Sequence, residues 1–162
     1  MKFDQNLMFT ATNETVVSAA GNLLFSKSID TQGGKSVGTP AIGGPLKNDW
    51  GGAPADLWIA LVIGTAWAQA ANSVTLQIVQ ADDGPLTTNL QVLRQSPVMT
   101  VTGSVLATAG KVISFGQIPS MTRRHLGIRL VITTTATTTG TVTAGLTKGY
   151  PSNSASLAAL AA

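Results

Sequence analysis

The sequence predicts an all-β protein, a jelly-roll-like antiparallel β-sandwich with one long Gly/Pro-rich loop. Three observations predict it. Apolar residues recur at every second position in many short runs, the side-chain period of a strand. Turn-forming residues separate these runs. No stretch carries the 3.6-residue apolar stripe of an amphipathic helix. The 162 residues suit one domain. A chain of this size buries roughly 68–70% of its unfolded surface, enough for a core without staples. There are no cysteines, which excludes a disulfide framework, a thiolate nucleophile and a thiolate metal site.

Taken in order, Leu57, Ile59, Leu61 and Ile63 alternate with Trp58, Ala60, Val62 and Gly64. Both faces are apolar, which predicts a strand buried on two sides. Val74, Leu76 and Ile78 alternate with Thr75 and Gln77, a half-buried strand that runs into Asp82-Asp83-Gly84-Pro85. That tetrad has turn chemistry: Asp tolerates the left-handed region, Gly supplies positive φ, and Pro forbids continuation. Further strands are expected at Leu90–Arg94, Val98–Val101 and Lys111–Phe115. In Leu126–Ile132, Leu126, Ile128, Leu130 and Ile132 share one face, while Gly127, Arg129 and Val131 take the other. Residues 133–139 are mostly Thr, β-branched and stiff at χ1. With Gly140 they read as a strand end and turn before a last strand, Thr141–Leu146.

One long stretch does not alternate. Gly33–Pro54 contains Gly33-Gly34, Gly43-Gly44-Pro45 and Gly51-Gly52. Loops beyond about 12–15 residues are usually functional or disordered, and Trp50 within this one argues for docking. The expected organisation is a single sandwich domain over 1–150, with 33–54 as an extended loop or arm, and a C-terminal tail over 151–162. The tail is polar and then Ala-rich, and too short for an isolated helix. The opening Met1-Lys2-Phe3-Asp4-Gln5-Asn6 has an early acid and no apolar block after it, which does not predict a secretory signal.

Only 10% of the residues are charged, against about 25% in an ordinary soluble domain. Either Thr and Gln do the solvating, or partners cover part of the surface. The charges are also segregated along the chain. All seven acids lie at or before residue 83, so the first 83 residues carry 4 − 7 = −3 and the remainder, with six cations, +6. This asymmetry predicts a basic face built from the later strands, unless the strands interleave and the two signs mix in space.

Several function classes find little support. Residues 57–81 are uncharged, but Gln69, Asn72, Ser73, Thr75, Gln77 and Gln80 interrupt the roughly 20 apolar residues that a spanning helix needs. Four Phe, three Trp and one Tyr are too few for the aromatic girdles of a membrane barrel. His125 is the only histidine, has no G-x-S-x-G partner motif, and reads as a strand-entry residue. Asp82 and Asp83 are adjacent on a turn and diverge, whereas glycosidase carboxylates flank a bond at roughly 5–9 Å. Calcium ligation there would lack the rest of an EF-hand loop. The late cations are dispersed, and no aromatic lies within five residues of Arg123-Arg124, so nucleic-acid binding is not expected. No enzyme, cofactor, metal or membrane partner is expected.

An ordered set of segments carries a resemblance. These are Met1–Thr10, Ser28-Ile29-Asp30-Thr31, Leu57–Ile63, Ser73–Asp83, Ile118-Pro119, Arg124–Arg129, Gly140–Leu146 and Lys148-Gly149-Tyr150-Pro151-Ser152. In this order the chain resembles the capsid cement (decoration) proteins of short-tailed phages, of the Bordetella-phage type. It departs from them in a longer Gly33–Pro54 loop, in His125 where a Tyr is common, and in a tail that continues past residue 152.

The resemblance implies a structural virion protein, made in the host cytoplasm and seated on the outer capsid surface. It would bind the major capsid protein as a homodimer or homotrimer and staple neighbouring capsid subunits. Candidate capsid or oligomer contacts are Asp4, Trp50, Arg94, Lys111, Arg123, Arg124 and Tyr150, with strand addition by either terminus as a further clamp. The rival expectation is a carbohydrate-binding sandwich for host-surface recognition, with Trp50 and Trp67 as its aromatic platforms.

Overall fold

The computed structural model describes residues 8–17, 19–31, 57–68, 73–102, 104–119, 121–133, 137–148 and 154–156. In chain order the strands are β1 (Glu14–Thr15), β2 (Gly21–Leu24), β3 (Ile29–Asp30), β4 (Leu57–Ala68), β5 (Ser73–Ala81) and β6 (Gln91–Gln95). Then come β7 (Met99–Thr100), a 3₁₀ turn at Val105–Ala107, β8 (Val112–Gln117), β9 (His125–Thr133), β10 (Thr139–Lys148) and β11 (Ser154–Ser156). One sheet has the order β1-β10-β4-β8-β11 and the other β2-β9-β5-β6, with β3 also on β9 and β7 also on β5. All pairs are antiparallel except β11 with β8, which is parallel.

Setting β11 aside, the first and last strands pair in one sheet, β10 and β4 lie at its centre, and the chain crosses between sheets after β1, β3, β4, β7, β8 and β9. This is the strand order of a jelly roll, in which two sheets share one core. The predicted fold class therefore holds in its architecture. The Gly33–Pro54 loop lies outside the described residues.

The core follows from the period-two pattern. Ile59, Leu61 and Ile63 of β4, Ile113 and Phe115 of β8, and Val142, Ala144 and Leu146 of β10 come from one sheet. Val74, Leu76 and Ile78 of β5 and Leu126, Ile128, Leu130 and Ile132 of β9 come from the other. Phe9, Val16, Phe25, Ile29 and Leu106 join the same cluster. Each fully buried Leu, Ile or Phe contributes roughly 1.5–3 kcal/mol relative to exposure.

Two expectations change. β4 is buried on both faces only at its middle: Ile59, Leu61 and Ile63 are wholly buried on the core face and Ala60 on the other, but Trp58 and Val62 are half-buried and Gly64 is exposed. The molecule has two layers, so the outer face of a central strand is covered only by its neighbours. The turn after β5 also differs. Its left-handed residues are Leu86 (φ 60°) and Asn89 (φ 52°), not Gly84. Leu86 folds back onto the outer face of the second sheet, where it is buried with Val79 and Ala81. It sits where any Cβ on Gly127 would stand, so Gly127 is the residue that admits it.

Candidate interface surfaces

Five charged residues, Asp30, Asp82, Asp83, Arg123 and Arg124, gather at one end of the second sheet. Asp83 closes the turn after β5 by accepting from the backbone N–H groups of Thr87 (2.9 Å) and Thr88 (2.8 Å) and from the Thr87 hydroxyl. These donors, the Thr87 hydroxyl foremost, hold its carboxyl at about 2, well below the usual carboxylate range. Asp82 accepts from Asn89 Nδ2 at 2.8 Å and, through both oxygens, from Arg123 Nη1 at 2.7 Å. Asn89 and then Arg123 lower its pKa.

Arg123 is delivered by Gln80, a buried polar residue of β5. Gln80 Oε1 accepts from the backbone N–H groups of Thr122 (2.9 Å) and Arg123 (3.1 Å). Its amide nitrogen donates to Gln91 Oε1 and Thr122 Oγ1. Arg124 turns to the other side of β9 and donates to Asp30 Oδ2 from Nε (2.9 Å) and Nη2 (2.6 Å). The carbonyl of Arg124 accepts from the backbone and hydroxyl of Thr31. Between the two pairs lies His125, level with Asp30 on one side and Ala81 on the other. His125 Nδ1 and Arg123 Nε are buried without a hydrogen-bond partner among the described residues.

The two signs of charge thus mix in space, as interleaved strands require. Three carboxylates (Asp30, Asp82, Asp83) meet two guanidiniums (Arg123, Arg124), so this end is not a basic face. Both ion pairs are partly exposed, with side-chain exposures of 23% and 43% for Arg123–Asp82 and 42% and 31% for Arg124–Asp30. Pairs this open to solvent are screened and contribute little to stability.

Arg94 has a different task. From β6, at the margin of the second sheet, its Nη1 donates to the carbonyl of Phe115 in β8 of the first sheet at 2.6 Å, with Gln117 O at 3.4 Å. The acceptor lies at a bulge: Ile59 pairs with Gly116 and Ala60 with Ser114, so Phe115 is skipped by the ladder. Gly116 has φ 88°, and a Cβ on it would stand 2.7 Å from Arg94 Nη1. Arg94 therefore ties the two sheets together along one side of the sandwich. Arg129 donates to Gln77 on the outer face of the second sheet at 2.8 Å, and Gln77 to Gln95 at 3.2 Å. Lys111 is exposed at the start of β8. Asp4, Trp50 and Tyr150 lie outside the described residues.

A surface that site prediction missed lies on the outer face of the first sheet. Across β10, β4 and β8 the register sets Thr147, Trp58 and Gln117 in one row. Gly145, Ala60 and Ser114 form the next row and are buried, while Thr143, Val62 and Val112 form the third and, like Thr147 and Trp58, are half-buried. None of the nine is charged. The signal was present in the sequence as the second, small and apolar set of β4. That apolar set predicts burial, which holds fully for Ala60 and in part for Trp58 and Val62.

Of the two Trp residues expected as sugar platforms, Trp50 lies outside the described residues and Trp67 does not offer its ring to solvent. Trp67 is 2% exposed, packs against Gly140, and donates from Nε1 to the Thr141 carbonyl. Among the described residues, no group of three or more His, Asp or Glu side chains is placed to hold a metal. No described helix is long and apolar enough to cross a membrane. No protein-family model matches the chain, and no curated protein matches it.

Proposed function

We propose that this protein is a capsid cement protein: a homo-oligomer that binds the outer surface of a phage shell and bridges neighbouring copies of the major capsid protein. The observation that carries the reading is the uncharged outer face of the first sheet on a jelly-roll scaffold. Interface centres are depleted in charge, and a scaffold whose arginines are spent internally leaves uncharged surface for contact. The ordered resemblance of the sequence to phage cement proteins supports the same reading.

Bridging needs no chemistry. A contact of millimolar strength is worth about −4 kcal/mol. An oligomer holding two or three such contacts at once gains roughly 10²–10⁴-fold through effective concentration. Symmetric placement of capsid subunits supplies the matching geometry.

The test is decoration of undecorated capsids, read by co-sedimentation. Val62→Lys places a charge in the uncharged face and should reduce occupancy sharply while the fold, checked by circular dichroism, persists. Arg123→Gln with Arg124→Gln should leave occupancy near the unmodified level. Full occupancy by a folded Val62→Lys variant would remove this face from the interface.

A further inference from the structure

The last strand is hard to reach within one chain. β10 ends at Lys148, level with Leu57 of β4. Leu57 stands one residue beyond Trp58, which faces Gln117 at the far end of β8. β11 starts at Ser154, level with Val112 at the near end of β8, and runs parallel to it to Ser156. Lys148 and Ser154 therefore stand at opposite levels of the sheet, with β4 and β8 between them.

The register sets the distance. From the level of Leu57 to that of Val62, which faces Val112, is five residues of β4, or roughly 17 Å at the rise of a strand. From β10 past β4 and β8 to β11 is three strand spacings, or roughly 14 Å. The two combine to roughly 22 Å. Six residue steps fully extended span about 20–22 Å. The straight line also lies within the sheet, which β4 and β8 already occupy, so a path over its face is longer still. Parallel connections ordinarily take a dozen or more residues.

The position beside β8 is nevertheless a good one for a strand. Without it, Val112–Ser114 would present unpaired backbone groups at a sheet edge, which invites pairing with another chain. A connection too short to close comfortably within one molecule favours exchange of that element between molecules.

We propose that the strand beside β8 is donated by a second copy of this chain, so that Ser154–Ser156 of one protomer closes the β8 edge of its neighbour. Val112–Ser114 is the acceptor edge, and the donor pairs through main-chain hydrogen bonds. The exchange concerns how the protein assembles with itself. It does not rest on capsid binding, and it is tested in the absence of capsids.

The absence of cysteines makes the test direct. Val112→Cys and Ser154→Cys are made as separate variants, one carrying an extra tag to distinguish its mass. They are unfolded together, refolded together and oxidised. Exchange predicts a disulfide-linked dimer containing one chain of each kind, far in excess of either like pair. It also predicts that the chain carrying both cysteines forms linked multimers that persist when the protein is diluted before oxidation. A mixture without the mixed dimer, or a double variant linked only within its own chain at every concentration, overturns the proposal. Ser114→Cys with Ser156→Cys, nearly isosteric and also in register, repeats the comparison should Val112→Cys fail to fold.

Discussion

Replacing Arg94 with Met tests how the two sheets are held together. Met keeps much of the apolar stem and removes the guanidinium. The loss is one charge-assisted hydrogen bond, from Nη1 to the Phe115 carbonyl at 2.6 Å; the 3.4 Å approach to Gln117 adds little. Hydrogen bonds to charged groups contribute about 1.5–3 kcal/mol. Arg94 is only half-buried, which places the expected cost near the lower bound, about 1.5–2 kcal/mol. For a domain of this size that lowers Tm by roughly 3–8 °C.

Gly116 sharpens the test. Gly116→Ala meets two penalties, the left-handed φ of 88° and a Cβ 2.7 Å from Arg94 Nη1. The backbone part alone is about 1–2 kcal/mol. With Arg94 already replaced by Met, the contact with Nη1 disappears and only the backbone part remains. Gly116→Ala should therefore cost less in the Arg94→Met background than alone, a coupling of about 0.5 kcal/mol or more. Urea unfolding with an unchanged m-value measures all four proteins. A loss under about 0.5 kcal/mol for Arg94→Met, within the range of ordinary surface changes, would refute the tie between sheets, as would strict additivity.

Further outcomes are expected elsewhere. Gly127→Ala should destabilise by about 1–3 kcal/mol through overpacking against Leu86, and Leu86→Ala by about 2 kcal/mol or more. The double variant should be more stable than the sum of the two predicts, because the new methyl enters the space Leu86 leaves; unfolding titrations check this. Asp83 has a folded pKa of about 2, below the ordinary 3.8, so its contribution is present above pH 4 and lost as pH falls toward 2. The Tm difference between the unmodified protein and Asp83→Asn should shrink over that window, and a constant difference would contradict the role given to its carboxylate. Capsid decoration should depend only weakly on ionic strength, since Arg123 and Arg124 are paired with Asp82 and Asp30; occupancy against salt measures it, and a steep decline would return these arginines to the interface.

Much of the fold was legible because alternation is local. The runs at 57–64, 74–78, 111–115, 126–132 and 141–146 each became a strand, with ends moved by a few residues. β1, β2, β3 and β11 were missed. They are two to four residues long, too short for a period to show, and they exist because a long neighbour offers a ladder. The uncharged run around Trp67 suits a core or interface aromatic as well as a sugar platform; its 2% exposure, against Gly140 of β10, decides for the core. The arginines were read by their position along the chain. Their partners, Asp82 forty-one and Asp30 ninety-four residues away, are brought near by β9 lying between β5 and β3, which local sequence does not encode.

The central claim is that this chain is a fixed component of a phage shell. Quantitative mass spectrometry of purified virions tests it most directly. The account predicts this protein in a constant, small-integer ratio to the major capsid protein across preparations, released without loss of the shell. Virions that lack it, or carry it in a ratio that varies from one preparation to the next, would contradict the account.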